Sequence, residues 1–214
     1  MRAKEGSKFY KFRLFFIRIK HGLFLMTLRN FLTRIGLDIG AYYWVKEGVN
    51  IYIEPVIKGN KEDFEIGFLT LSDIKKLKNI SFVNTETLIE RFDNGLKCIG
   101  LKHSGDITAF MSIEYNGFNY RKKQFKLELN EAYLLNMYTY QSYRGKNLAP
   151  YLRYHSYQLL KKEGVENIYS ITDYFNKSSQ KFKEKLNARP LTLYFAILLF
   201  KKYHRTIKIK DYSN

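Results

Sequence analysis

The sequence has little cysteine, few acidic residues and no long uncharged apolar run. Its single cysteine, Cys98, excludes an intramolecular disulfide framework and a zinc site with several cysteines, so a reducing cytoplasm is the simplest expected location. The most apolar stretch, LTLYFAILLF at 191–200, is much shorter than the ~20 residues that a membrane span requires. It predicts a buried strand, and a transmembrane anchor is not expected.

The shortage of acidic residues leaves a strongly basic chain. Its 214 residues contain 37 Lys+Arg against 20 Asp+Glu, which gives a net charge of +17, and 45% of the residues are hydrophobic. This composition predicts one folded domain of good size and excludes a disordered chain. A field of this sign attracts nucleic acid, an anionic membrane face or a phosphorylated ligand, and charge alone does not choose among them.

Residues 1–37 combine basic and apolar side chains in a helical pattern. The apolar positions that fit one helical stripe are Leu14, Ile17, Phe24, Leu28, Phe31 and Ile35. Two interpretations stay open. The segment forms either ordinary helices packed on the core with solvated charges, or a basic amphipathic helix in peripheral contact with an anionic membrane at its inner face.

The rest of the chain predicts strands that alternate with helices. We divide the chain into a basic, aromatic N-terminal extension (1–60) packed on or beside the core, one domain (61–203) and a basic C-terminal tail (204–214). Within the domain, the pattern predicts a strand, two helices, a hairpin, a polar excursion, a central strand, a turn with its helix, and then strand, helix and strand. This mixture favours an α/β sheet of mixed direction.

The segment YRGKNLAP (143–150) joins the central strand to its helix. A helix that begins at the carboxyl end of a strand presents unpaired backbone N–H groups and the positive end of its dipole, so it binds anions readily. Gly145 and Ala149 leave the backbone accessible, and Asn147 tolerates a left-handed conformation. Pro150 suits the first helical turn.

Arg144 and Lys146 bring two cations to the same turn, but the segment alone leaves open a phosphate-binding turn and an ordinary turn with solvated charges. The run RGKNLA (144–149) resembles the acyl-CoA-binding signature Q/R-x-x-G-x-G/A of the GNAT acetyltransferase superfamily. The order of elements over about residues 62–200 is similar as well, as is the segment RFDNGLKCIGLKHSGDITAF. The resemblance implies a GNAT-like fold, with a mixed, mostly antiparallel central sheet flanked by helices. It also implies an N-acyltransferase that uses acetyl-CoA as co-substrate without a metal.

The resemblance further implies roles for particular residues. The amides of the turn would hold the pyrophosphate, and the central strand would pair with the pantetheine arm where two strands separate. An amide near Thr139 would polarise the thioester carbonyl. The implied binding residues are Met137, Tyr138, Thr139, Arg144, Gly145, Lys146, Asn147, Leu148, Ala149 and Asn176.

Two positions depart from the family pattern. Asn147 replaces the middle glycine of the signature, and Lys183 stands seven residues after Asn176, where many members carry a tyrosine that protonates the leaving thiolate. Three alternatives follow: Lys183 donates that proton, solvent donates it, or turnover has been lost.

An attacking amine must lose a proton, so the transfer needs a general base or a water relay. The candidates for this base are Asp173, Glu131, Glu114, Tyr138 and Tyr140. Asp173 is favoured, whereas the other four could equally be strand-end or core residues. The candidate catalytic residues are Thr139, Asp173 and Lys183. Cys98 is expected to be a core residue, and the spacing of the four histidines does not support a metal site.

The expected reaction is direct attack of a primary amine on acetyl-CoA in a ternary complex. The acceptor would be a small molecule. The segment YTYQSYRG (138–145), with the cysteine-bearing hairpin, resembles GNAT proteins of bacterial surface-polysaccharide synthesis, which implies an amino sugar as acceptor. Its anionic nucleotide-diphosphate form would also use some of the excess positive charge. The alternative is a catalytically degenerate binding protein that docks on nucleic acid or an anionic membrane. Nucleic acid is the less favoured partner because no recognition motif is present. The acceptor and the oligomeric state are not determined by the sequence.

Overall fold

Residues 24–48, 53–77, 80, 83–200 and 202–213 are described by a computed structural model, in which strands and helices alternate. The strands are β1 Leu37–Glu47, β2 Phe64–Phe68, β3 Lys97–His103, β4 Asp106–Glu114, β5 Phe118–Tyr120, β6 Lys123–Phe125, β7 Glu131–Thr139, β8 Asn167–Asp173, β9 Arg189–Leu199 and β10 Tyr203–Asp211. The helices are α1 Phe24–Leu32, α2 Leu71–Lys75, α3 Thr85–Asp93, α4 Leu148–Lys162 and α5 Lys177–Glu184. The predicted stripe positions Leu14 and Ile17 lie outside the described residues.

One sheet of eight strands organises the fold. Its order is β10-β9-β1-β8-β7-β4-β3-β2, and β5 and β6 form a separate hairpin. Neighbouring strands of the large sheet are antiparallel, except that β7 and β8 run parallel. The sheet is thus mixed and mostly antiparallel, as the resemblance implied.

Each face of the sheet has its own cover. On β4, Met111 and Ile113 belong to the core under α4, whereas Phe110 packs with the residues of α2 and α3. This division follows from the alternation of side chains along a strand. The hairpin β5–β6, which corresponds to the predicted polar excursion, packs its Phe125 ring against Trp44 with centroids 4.8 Å apart.

Three of the helices begin at side-chain caps. Thr70 and Asp73 form a capping box at α2, Asn84 accepts from Thr87 N–H at α3, and α5 begins in the same way at Asn176. Such caps satisfy backbone donors that the first helical turn leaves unpaired.

The position of β1 differs most from the division of the chain that the sequence predicted. Residues 1–60 were expected to pack on or beside the domain, whereas β1 lies inside the sheet and pairs antiparallel with both β8 and β9. Tyr42 and Val45 of this strand are only 0% and 5% exposed, so they belong to the core. Local composition predicts a strand, but the partners of a strand are distant in sequence and are set by the whole fold.

The C-terminal segment differs from the expected basic tail at 204–214. Tyr203–Asp211 forms β10, which pairs with β9 at the edge of the sheet. Lysine is common on edge strands because it discourages pairing with further chains, so the basic composition is compatible with a strand. No helix of the described residues combines the length and the apolar character needed to cross a bilayer.

Candidate active site

The turn between β7 and α4 has the backbone conformation that its residues predict. Asn147 precedes α4 with a left-handed backbone, φ 65° and ψ 22°. Gly145 has φ 85°, and a Cβ built on it would meet no atom within 4 Å. The turn is therefore open on the side where a phosphate would approach.

The backbone amides of this turn are available to a ligand. Among the described residues, no hydrogen-bond acceptor is found for the N–H groups of Gly145, Lys146, Asn147, Leu148 and Ala149. Four of these five residues, all except Lys146, line a cleft of about 290 Å³. Its lining residues are Lys58, Thr139, Tyr143, Arg144, Gly145, Asn147, Leu148, Ala149 and Pro150. Unpaired donors at the positive end of a helix are the physical requirement of an anion site.

A segment distant in sequence supports the turn from outside. Lys58 N–H donates to Lys146 O at 3.0 Å, and the Asn147 side-chain amide donates to Val56 O at 2.7 Å. These bonds use a carbonyl and a side chain, and they leave the amides of the turn free. Lys58 also lines the cleft and adds a cation that the sequence analysis missed. The polar stretch around residue 60 gave no signal of this contact.

β7 and β8 separate just before the turn. Within these two strands, pairing runs only from Glu131↔Asn167 to Leu134↔Ser170, although β7 continues to Thr139. A bulge lies at the point of separation: Asn136 has φ 53°, and the register between β4 and β7 shifts there. The bulge bends β7, as bulges do, and the gap leaves backbone groups of β7 unpaired on one edge.

The amide of Thr139 points into this gap. Tyr140 N–H donates across to Thr108 O of β4, so the alternation of amides along a strand directs Thr139 N–H to the opposite edge. Thr139 O lies on that edge too and accepts from Arg144 Nε at 3.1 Å. The Thr139 hydroxyl is buried and has no hydrogen-bond partner in the described part of the chain. Because Thr139 also lines the cleft, this hydroxyl is available to a ligand that enters there.

The other residues implied for cofactor binding occupy different positions. Met137 packs in the core under α4, and Tyr138 packs on the other face of the sheet with the residues of α2 and α3. The Asn176 side chain accepts from Ser179 N–H at 3.1 Å, which makes it the cap of α5. Asn176 therefore has a structural contact at the carboxyl end of β8.

Lys183 lies in a buried polar group that we call the enclosed cluster. Its members are Glu47, Arg153, Tyr157, Ser170, Thr172 and Lys183. Arg153 Nη2 is 2.9 Å from Glu47 Oε1, and Lys183 Nζ is 3.2 Å from the same oxygen. Lys183 also donates to the hydroxyls of Ser170 and Thr172. A lysine has three donors, so all three are engaged inside the protein.

Burial controls the ionisation of the enclosed cluster. Desolvation lowers the pKa of Lys183 to about 8, against the opposing attraction of Glu47. Burial alone would raise the pKa of Glu47, but Arg153, Lys183 and two hydroxyl donors hold that pKa well below its usual range. A small cavity of about 120 Å³ reaches Lys183 between β1 and α5.

Asp173 is paired as well. It accepts from Arg29 Nη1, and Arg121 Nη2 lies 3.6 Å from its carboxylate. Both arginines also contact Asp38, so four alternating charges meet at the carboxyl end of β8. Sequence reasoning missed Arg29 and Arg121 because their positions, 29 and 121, are far from residue 173 in the chain.

The two glutamates considered for proton transfer lie elsewhere, whereas Tyr140 directly follows β7 at the turn. Glu131 accepts from the Tyr169 hydroxyl at the start of β7, and Glu114 pairs with Arg91 at the neighbouring end of β4. Both carboxylates are thus at the end of β7 opposite to the turn. Cys98 is fully buried, and burial raises the pKa of its thiol to about 11, which keeps it protonated and unreactive. The described residues contain no group of three or more potential metal ligands.

Comparison with known proteins identifies the family. Residues 63–188 match the acetyltransferase (GNAT) family, and the chain belongs to this family. This confirms the resemblance of the signature turn and of the element order, and it supports an N-acetyltransferase. No curated protein matches the chain.

Solved structures show the same fold at low sequence identity. A putative GNAT acetyltransferase from Novosphingobium aromaticivorans has a TM-score of 0.51 and 17% identity, covering 77% of this chain and 67% of its own. A GCN5-related N-acetyltransferase from Sphaerobacter thermophilus has a TM-score of 0.51 and 10% identity, with coverages of 86% and 58%. A glucosamine N-acetyltransferase region of a fungal multi-domain protein has a TM-score of 0.53 and 13% identity, with coverages of 81% and 23%.

Proposed function

We propose that this protein transfers an acetyl group from acetyl-CoA to a primary amine of a small molecule by direct attack. The observation that carries the proposal is the row of unpaired amides from Gly145 to Ala149 beside the gap between β7 and β8. The relatives do not favour the alternative of a degenerate binding protein.

The residues present fit acetyl-CoA, which supplies the activated acetyl group as a thioester. The amides of the turn donate to the pyrophosphate, and Lys58, Arg144 and Lys146 add positive charge around it. The free edge of β7 between Met137 and Thr139 pairs with the pantetheine arm. Thr139 N–H, directed into the gap, donates to the thioester carbonyl oxygen and stabilises the negative charge that develops there.

Lys183 and Asp173 remain our proposals for proton transfer. Each of them holds protein partners in this structure, so each would exchange one partner for the reacting group. The alternative proton carrier is a water relay, which needs no ionisable side chain at the gap.

The acceptor that we propose is an amino sugar, with a nucleotide-diphosphate form as the first compound to test. The reason is charge: a net charge of +17 exceeds what one coenzyme needs, and an anionic acceptor would use part of the surplus. A panel of neutral and anionic amines, assayed by release of the coenzyme A thiol, ranks the candidates. Equal rates with neutral and anionic amino sugars would reject the charge argument.

Gly145→Glu tests the coenzyme site. The substitution places bulk and negative charge at the proposed phosphate position, so we expect binding of coenzyme A to be abolished in calorimetry. Gly164→Glu is the matched control, because Gly164 has the same φ of 85° as Gly145 and a Cβ there also meets open space. Both substitutions impose the same backbone strain, but Gly164 lies at the far end of α4.

The control separates folding from binding. We expect both variants to lose similar stability in thermal unfolding, while only Gly145→Glu loses the coenzyme. Unchanged affinity in Gly145→Glu, or equal loss in both variants, would show that the turn does not bind the pyrophosphate.

A further inference from the structure

One corner of the sheet exposes several large apolar side chains. It lies where α1 leads through a short 3-10 turn into β1, and where β9 turns into β10. The exposed fractions are 59% for Phe31, 55% for Ile35, 66% for Phe200 and 52% for Tyr203. We call these four residues, with Leu28, the apolar corner.

The two halves of the apolar corner meet at Gly36. Phe200 N–H donates to Gly36 O at 2.7 Å, and a Cβ built on Gly36 would come within 2.9 Å of the Phe200 ring. Leu28, Phe31 and Ile35 are spaced by three and four residues, which places them on one side of α1 and its extension. Residues that are far apart in sequence therefore contribute to one surface.

Basic side chains border the apolar corner. Arg34, Lys202 and Arg205 are exposed, and within the described ranges none of them has an ion-pair partner. The sequence has no Asp or Glu in 24–37 or in 189–210. Asp38, which follows the first of these segments, pairs with Arg29 and Arg121. The border is therefore positive, and the described carboxylates form no ion pair with it.

We propose that the apolar corner and its basic border form a docking surface for an anionic lipid bilayer. Lysine and arginine are attracted by anionic headgroups, and exposed aromatic and aliphatic side chains gain free energy when they enter the interfacial layer. A second copy of the chain fits this surface less well, because it would bring arginine and lysine against arginine and lysine. Nucleic acid would leave the apolar side chains in water.

The first test measures binding of the full chain to vesicles by flotation. Vesicles of phosphatidylcholine alone are compared with vesicles that also contain phosphatidylglycerol, at low and high salt. We expect binding to the anionic vesicles only, and the combined variant Arg34→Gln, Lys202→Gln and Arg205→Gln should weaken it by at least about tenfold. A control that removes the same charge from exposed lysines elsewhere is Lys75→Gln, Lys126→Gln and Lys162→Gln. This control should bind like the unmodified chain.

The second test removes the apolar contribution while keeping the charge. Phe31→Ser combined with Phe200→Asn suits the backbone, because Phe200 has φ 50° and asparagine tolerates that conformation. We expect this variant to lose about tenfold in vesicle binding, with the loss persisting in salt that screens the charges. Thermal unfolding and thiol release from acetyl-CoA should be unchanged in all variants.

Three outcomes would overturn the proposal. Equal weakening by the two charge variants would mean that net charge, and not this corner, attracts the vesicles. RNA binding that depends on the same residues, without vesicle binding, would identify a nucleic-acid surface. A dimer in sedimentation analysis that the Phe31 and Phe200 variant dissociates would identify a second copy as the occupant.

Discussion

Positive groups lie together at two places beside β7 and β8, the turn at 144–149 and the enclosed cluster. The protein neutralises only those of the enclosed cluster. In the enclosed cluster, Glu47 accepts from Arg153 and approaches Lys183, and every donor of Lys183 has a partner. At the turn, the amides have no acceptor in the described residues, although a cation lies on each side of Gly145. Buried polar groups with complete partners stabilise a fold, whereas open donors at a cleft indicate a ligand site.

The largest effect is expected at the carboxylate of the enclosed cluster. Glu47→Gln leaves Arg153 and Lys183 buried without a counter-charge, so the free energy of unfolding should fall by about 3–5 kcal/mol. Urea unfolding measures this change. The control Glu54→Gln disrupts a partly exposed pair with Lys61 and should have a much smaller effect. Similar losses in both variants would mean that the enclosed cluster contributes no more than a surface pair.

Lys183→Met tests the cationic side of the same cluster through pH. The pKa of Lys183 is lowered from 10.5 to about 8, so the unfolded chain binds more protons than the folded chain between these two values. Stability therefore gains from a rise in pH over that window, and the gain should be missing in Lys183→Met. The measurement is the difference in unfolding free energy between the two proteins at pH 7 and pH 10. A difference that does not change with pH would contradict the lowered pKa.

The same variant tests proton donation during turnover. If Lys183 protonates the leaving thiolate, Lys183→Met lowers kcat while the affinity for coenzyme A stays the same. Lys181→Met, at an exposed position of the same helix, is the matched control and should keep the full rate. Equal kcat in both variants would assign Lys183 to stability alone.

The smallest effect is expected from a cation at the open turn. Lys58→Gln should weaken coenzyme A binding about twofold to fivefold at low salt, as for other exposed ion pairs, and less at high salt. Lys61→Gln is the control, since Lys61 is a nearby exposed lysine whose ammonium pairs with Glu54 at 2.8 Å. Calorimetry at two salt concentrations separates the two variants. No salt-dependent loss in Lys58→Gln would remove this residue from the site.

Sequence reasoning was strongest where chemistry is local. The left-handed Asn147, the accessible Gly145 and the position of the turn between a strand and a helix all follow from residues that are adjacent in the chain. The order of elements over the matched family region was predicted in the same way. Propensity, capping and turn chemistry act over a few residues, so a single sequence reveals them.

Sequence reasoning was weakest where distant residues meet. Glu47 contacts Arg153 across 106 positions, and Arg29 contacts Asp173 across 144. No spacing rule connects such residues, and Glu47 in particular stood in a segment assigned to an extension. β1 lies between β8 and β9, and it carries Glu47 of the enclosed cluster and Asp38 of the charged group around Asp173. The position of β1 among its neighbours is a property of the folded sheet.

By itself, the sequence determined the backbone conformation of the turn at 144–149, the basic character of the chain and the order of helices and strands over the matched family region. These depend on backbone conformation, charge and local periodicity, which are encoded residue by residue. Only the tertiary structure decided that Lys183 and Asp173 are paired, that Lys58 lines the cleft and that Gly36 contacts Phe200. Burial and ion pairing depend on which surfaces come together, and that is fixed only when strands distant in the chain join one sheet.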